Sequence, residues 1–320
     1  MSDDSVIATR QGRIGHLLLN RPRTLNALDL GMIRAIAAAL EAWRDVPQIH
    51  AVVIEGAGER AFCAGGDIRA VRDAALGADM STVRAFFAEE YALNAVIAAY
   101  PKPYVALIDG FCMGGGVGVS VHGRVRVVTE AAQLAMPETA IGLFPDIGAS
   151  FLLPRLPGAL GAYLGLTGVR MIGADSAHAG LATHFVPRDR LVDLRKALAR
   201  DGVTAVAAHA QALPAFTLAD HRAAIDRCFG QASIPAILQA LQAEPSDWAR
   251  RTEATLALMS PSSLRWSLDI ILAGAGRDLR QCLAAELELV LRVVRHPDFA
   301  EGVRAMVIDK DRAPRWALAE

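Results

Sequence analysis

Two carboxylates, Glu138 and Asp146, stand eight residues apart in the otherwise apolar stretch LAMPETAIGLFPDIG (Leu134 to Gly148), and each directly follows a proline. A proline fixes its own φ and restricts the residue before it, so each acid is aimed at low entropic cost. A carboxylate held in apolar surroundings has a raised pKa and can work as base, nucleophile or acid near neutral pH. Glu138 is the stronger candidate for the reacting group. Asp146 precedes Ile147-Gly-Ala-Ser-Phe-Leu-Leu153, where an aspartate could equally serve as a helix cap. Glu90, in FFAEEY (Phe86 to Tyr91), reads by pattern as a solvated charge on an amphipathic helix.

Two glycine-bearing turns follow strand-like runs, Phe62 to Ile68 (FCAGGDI) and Gly110 to Gly118 (GFCMGGGVG). Each leads into a helix-compatible segment, so each can present unpaired backbone N–H groups at a helix start. Such donors suit an oxyanion, and glycine lets a substrate carbonyl approach the backbone closely. Tight turns and close helix–strand packing are the alternative use of the same glycines.

Other chemistries lack their signatures. The triple glycine misses GxGxxG, because Gly114, Gly116 and Val119 fall on its three places, and no GxxxxGK[ST] occurs. Gly118-Val-Ser120-Val-His122 ends in histidine where a serine-hydrolase elbow needs glycine. The eight histidines form no HxH or HxxxH pair, so no metal site is expected. The four cysteines, Cys63, Cys112, Cys228 and Cys282, contain no CxxC and are too scattered for a disulfide framework. That usage, with an acidic N-terminus lacking the basic and apolar regions of a leader, favours the cytoplasm.

The elements that must position these residues follow from periodicity. Short apolar runs at Gly15–Asn20, Ala51–Glu55, Tyr104–Ile108 and Arg124–Val128 read as strands, and Asp29–Arg44 carries helical spacing. This alternation predicts an α/β layer structure with right-handed crossovers. Tyr104 to Val121 is apolar, but Asp109 and its glycines argue for a buried strand entering a helix rather than a membrane span. After about residue 190 the β signal fades, and Leu279–Arg295 is the clearest helix. Residues 1–195 are thus expected to form an α/β core and 196–320 a mainly helical region packed on it, with a short strand at Ala305–Ile308. With 320 residues, 53% of them hydrophobic, a large core is available. The 33 basic and 34 acidic side chains supply no field that would gather nucleic acid.

The segments AFCAGGDI (Ala61 to Ile68), KPYVALIDG (Lys102 to Gly110), MGGGVGVSVHG (Met113 to Gly123) and MPETAIGLFPDIG (Met136 to Gly148) together resemble the crotonase, or enoyl-CoA hydratase/isomerase, superfamily. The similarity continues through LPRLPG, LTGVRMIGAD, SPSSL and the segment Glu301 to Trp316, and so spans nearly the whole chain. It implies a crotonase fold of repeated ββα units, an acyl-CoA substrate, and a thioester oxygen held by two backbone N–H groups, here those of Gly66 and Gly115. Ala64, Asp67 and Ile68 would line the CoA path, mainly through their backbone. Glu90, Glu138 and Asp146 match polar pocket positions of the superfamily's hydrolases. Where its hydratases carry the first of two water-handling glutamates, this sequence has Gly118. The resemblance therefore implies hydrolysis of a short 3-hydroxyacyl-CoA, such as 3-hydroxyisobutyryl-CoA in valine breakdown, with Glu138 and Asp146 catalytic. CoA arrives as part of the substrate, and no metal or organic cofactor is implied. A hydratase or isomerase pairing Glu138 with Asp146, and a non-catalytic acyl-CoA binder, stay open as alternatives. Homo-oligomers are common in the superfamily; the C-terminal extension leaves that state open here.

Overall fold

The computed structural model describes residues 4–317, so part of the acidic N-terminus lies outside the described residues. In chain order the elements begin β1 (Val6–Gln11), β2 (Ile14–Leu19), α1 (Leu30–Trp43), β3 (Ala51–Gly56), β4 (Ala61–Cys63), α2 (Ile68–Leu76) and α3 (Met80–Ala98). They continue through β5 (Tyr104–Ile108), β6 (Phe111–Met113), α4 (Gly115–Val121), β7 (Val125–Val128), β8 (Gln133–Ala135), α5 (Ala149–Leu152), α6 (Leu160–Thr167) and β9 (Met171–Ile172). Then come α7 (Gly173–His178), β10 (His184–Phe185), α8 (Leu191–Asp201) and α9 (Ala205–His209). The last six are α10 (Arg222–Phe229), α11 (Ile234–Ala243), α12 (Asp247–Ala257), α13 (Pro261–Gly274), α14 (Leu279–Val293) and α15 (Pro297–Val303).

Contacts group the chain differently from the expected boundary after residue 195. One unit takes residues 1–67, 89–134 and 170–216; the other takes 68–88, 135–169 and 217–320. Three separate stretches of chain build each unit.

The first unit holds a six-stranded sheet in the order β1-β2-β3-β5-β7-β10 and a four-stranded sheet in the order β4-β6-β8-β9. β1 and β2 form an antiparallel pair, and β2, β3, β5, β7 and β10 run parallel. Because side chains alternate along a strand, Ala51 and Val53 of β3, Val105 and Leu107 of β5 and Val127 of β7 share one face. That face packs on Leu194, Ala197 and Leu198 of α8 and on Ala205 and Val206 of α9. Val52, Ile54, Ala106 and Ile108 point the other way and are also buried. Burial on both faces explains why these strands read as unbroken apolar runs.

The second unit is helical apart from the margin of β8. α13 starts with Pro261 behind Ser260, whose hydroxyl caps the Ser263 amide, and α14 starts with a reciprocal capping box of Asp278 and Gln281. The strand expected at Ala305–Ile308 is instead a π-helical turn, Arg304–Ile308. Arg304 reaches Glu301 at 2.8 Å, Asp309 at 2.7 Å and Asp311 at 2.6 Å, and these short-range ion pairs curl the backbone on itself. Among the described residues no helix is long and apolar enough to cross a membrane.

Candidate active site

In the first unit β4 leads into the turn Ala64–Asp67. The Leu28 amide donates to the Gly65 carbonyl at 2.8 Å, and the Leu28 carbonyl accepts from the Asp67 amide at 2.7 Å. Successive residues of an extended chain send their amides to opposite edges, so the Gly66 N–H is directed away from Leu28. On that side lies the start of α4. A Cβ added to Gly115 would stand 3.2 Å from the Gly66 nitrogen and 2.3 Å from Glu90 Oε1. Gly115 also opens α4, and a helix leaves its first amides without an internal acceptor. Gly66, Gly115 and Glu90 therefore converge on one small cradle. The packing alternative holds for a neighbour: a Cβ on Gly116 would meet the Cys63 carbonyl oxygen at 2.4 Å.

Glu90 departs from the solvated charge its helix pattern suggested. It is 2% exposed, whereas the adjacent Glu89 pairs at the surface with Arg34 at 2.7 Å. One residue of helical rotation, about 100°, separates the outward acid from the inward one. Cys63 also lines this region, but burial pushes its thiol up to about 12, with the Glu90 charge adding to the effect. Burial thus works against a nucleophilic thiolate at this cysteine.

Of the residues implied to bind CoA, Ala64 donates its amide to the Leu25 carbonyl at 3.0 Å. Asp67 lies 3.6 Å from Arg21, which also pairs with Asp29 at 3.0 Å. Ile68 falls in the second unit as the first residue of α2. The strap that follows Arg21 holds this turn through the backbone of Leu25 and Leu28. Asn26, fully buried, accepts from the Arg21 amide at 3.0 Å and donates to the carbonyls of Ala57 and Ala61, both at 2.9 Å. Asn26 also sits at φ 57°, a left-handed conformation that asparagine tolerates better than most residues. Asn26→Ala strands three backbone groups and is expected to cost about 3 kcal/mol of stability, measured from urea unfolding midpoints. A second residue missed from sequence is Asn94, one turn after Glu90. It is fully buried, and neither atom of its carboxamide has a hydrogen-bond partner among the described residues.

In the second unit, Glu138 is 5% exposed and begins a 3₁₀ turn, Glu138–Ile141, behind Pro137. Helices that follow much later in the chain pin this turn. The Thr139 hydroxyl donates to the Leu166 carbonyl at 3.1 Å, and the Thr139 carbonyl accepts from the Ser260 amide at 3.2 Å. Gly142 closes the turn at φ 70°, where a Cβ would meet the Asp298 carbonyl oxygen at 2.2 Å. Asp298 is itself buried and accepts from the Ser260 hydroxyl at 2.6 Å.

Asp146, also 5% exposed, heads a turn in which Ile147 and Gly148 are both left-handed, at φ 57° and 84°. A β-branched residue in that region costs about 1–3 kcal/mol and persists only where its surroundings enforce it. The N-cap of α5 is Gly148, and the Asp146 carbonyl accepts from the Ala149 amide at 2.9 Å. Two more amides at this helix start reach a distant acid: Gly148 N donates at 2.7 Å and Ser150 N at 2.9 Å to the carboxyl of Glu286. Burial pushes that carboxyl up to about 8, the Asp146 charge adds to the rise, and hydrogen bonds from Ser150 and Gly148 oppose it. Glu286 was legible as an oddity: it falls on the stripe Cys282, Leu283, Leu289, Val290 and Val293 of α14, which is otherwise apolar and buried.

The structure thus gathers Ala64, Gly66, Asp67, Glu90 and Gly115 in the first unit, and Ile68, Glu138 and Asp146 in the second. Among the described residues no group of three or more His, Cys, Asp or Glu could hold a metal ion.

The enoyl-CoA hydratase/isomerase family model matches residues 14–320. A Xenopus tropicalis protein named 3-hydroxyisobutyryl-CoA hydrolase, mitochondrial, is 45% identical over 328 residues, spanning 99% of this chain and 85% of that protein. The crystal structure of a carnitinyl-CoA dehydratase from Mycobacterium thermoresistibile matches with a TM-score of 0.94 and 41% identity, covering 98% of this chain and 92% of that one. That of an enoyl-CoA hydratase from Rhodobacter sphaeroides 2.4.1 matches with a TM-score of 0.93 and 40% identity, covering 98% and 93%. The relative's mitochondrial designation corrects the cytoplasmic expectation. The four cysteines are indeed free, but free thiols mark a reducing environment and do not distinguish one such compartment from another. With the family model spanning nearly its whole length and two close structural counterparts, the chain belongs to the enoyl-CoA hydratase/isomerase family and has the crotonase fold.

Proposed function

We propose that this protein hydrolyses a short 3-hydroxyacyl-CoA thioester, with 3-hydroxyisobutyryl-CoA as substrate, a step of valine breakdown. The observation that carries hydrolysis over hydration is the composition of α4. Its residues, GGVGVSV, include no acid, and position 118 is a buried glycine. Addition of water across a C=C bond in this family draws on two glutamates, and one of those positions is empty of a carboxylate here. The hydrolase named among the relatives supports the same reading.

In the proposed reaction the amides of Gly66 and Gly115 take up the charge on the thioester oxygen, about 3–4 kcal/mol for each well-placed donor. Either Glu138 attacks the carbonyl carbon and forms an acyl-enzyme anhydride that water then hydrolyses, or it removes a proton from a water whose oxygen forms the new C–O bond. The C–S bond breaks, and the thiolate leaves as free CoA after taking up a proton. Both routes consume one water. Asp146 and Glu90 orient the substrate hydroxyl and the water, with Asp146 placed to pass a proton. Backbone groups of Ala64, Asp67 and Ile68 hold the CoA moiety. This chemistry draws on no metal or organic cofactor.

A second reading, hydration or dehydration, is favoured by the names of the two solved structures. A panel of short acyl-CoA esters separates the two. Thiol release is expected to be fastest with 3-hydroxyisobutyryl-CoA, and absorbance of a conjugated enoyl thioester should stay unchanged. Loss of enoyl absorbance without thiol release would replace hydrolysis by hydration.

A further inference from the structure

The turn that carries Asp146 is conformationally expensive. Ile147 is left-handed, at φ 57°, and α5 is four residues long with no side-chain cap at Gly148. Besides the local bond from the Ala149 amide to the Asp146 carbonyl, the turn is braced by Glu286, on α14 and 138 positions away in sequence from Gly148. Its Oε2 accepts from Gly148 N at 2.7 Å, and its Oε1 accepts from Ser150 N at 2.9 Å and from the Ser150 hydroxyl at 2.5 Å. The carboxyl is fully buried. All of these groups lie in the second unit.

We propose that Glu286 is a positioning residue for the reaction: by clamping Gly148 and Ser150 it enforces the left-handed turn and thereby fixes the direction of the Asp146 carboxylate. The electrostatic influence of Asp146 on Glu286 agrees with their being neighbours. A buried acid beside another acid is a poor choice for packing alone, since burial disfavours its charged form. Its two carboxyl oxygens, however, each face a backbone amide, Oε2 that of Gly148 and Oε1 that of Ser150, and a glutamine in the same place would turn its NH2 toward one of those two N–H groups. The inference rests on the reading of Asp146 as a substrate-orienting acid.

The test compares Glu286→Gln, Ser150→Ala, Asp146→Asn and the double variant Glu286→Gln/Asp146→Asn by thiol release from 3-hydroxyisobutyryl-CoA, with thermal melts alongside. Glu286→Gln is expected to lower kcat by about tenfold or more with little change in KM, since small misplacements of a reacting group carry losses of that order. Ser150→Ala, which keeps both amide bonds, should lose several-fold less than Glu286→Gln. In the Asp146→Asn background, adding Glu286→Gln should change kcat little, because the two act as one unit. A wild-type kcat for Glu286→Gln, or losses that simply multiply in the double variant, would overturn the proposal, as would a loss of kcat that follows the melting temperature across the series. If Asp146→Asn itself turned over at the wild-type rate, the functional reading of Asp146 would fail, whatever Glu286 does.

Discussion

Glu138→Gln is expected to release thiol from the CoA ester at about a thousandth of the wild-type rate or less, with the fold unchanged. The size follows from the role, because removing a general base costs about 10²–10⁴ in rate and a covalent nucleophile has no substitute in the pocket. Preservation of the fold follows from what braces the turn. The hydrogen bond from the Leu143 amide to Glu138 uses its carbonyl, and the bonds at Thr139 and the close approach at Gly142 do not involve the residue 138 side chain. Glutamine keeps the length and shape of the side chain while withdrawing both the nucleophilic charge and the basic oxygen. Circular dichroism and melting temperature should match the wild type. Near-normal thiol release by this variant would remove the hydrolase mechanism.

Gly115→Ala is expected to lower kcat by about 10²–10³, the loss typical of a disabled oxyanion donor. The added methyl would lie 2.3 Å from Glu90 Oε1 and 3.2 Å from the Gly66 nitrogen, among the groups proposed to receive the thioester. Its closest clash is with the far end of a flexible side chain, and Gly115 is not among the residues with positive φ. The chain can therefore fold, and the damage falls on the cradle. Gly116→Ala is the contrasting case, because its methyl would meet the Cys63 backbone carbonyl at 2.4 Å, which cannot swing aside. That variant should lose stability before it loses activity per folded molecule. Equal stability losses in the two variants, with activity retained at residue 115, would dissociate the cradle from catalysis.

Glu138 stands out as a candidate from its local context alone: a proline behind it and apolar residues around it, which are properties of a few consecutive residues.

Local sequence determined the strands at Ala51–Gly56, Tyr104–Ile108 and Val125–Val128, helix α1 and the glycine turns, because periodicity and positive φ are settled within one or two turns of chain. It also determined the family, since the motifs are contiguous. Tertiary structure alone decided that Glu90 turns inward while Glu89 meets solvent, that Asn26 bonds the backbone of Arg21, Ala57 and Ala61, and that Ser260 and Asp298 brace the Glu138 turn. It likewise decided that the carboxyl of Glu286 receives the Gly148 and Ser150 amides at the start of α5. The physical reason is range: a hydrogen bond between residues more than a hundred positions apart leaves no periodic trace, and a charge within an apolar helical stripe announces that a partner exists without naming it.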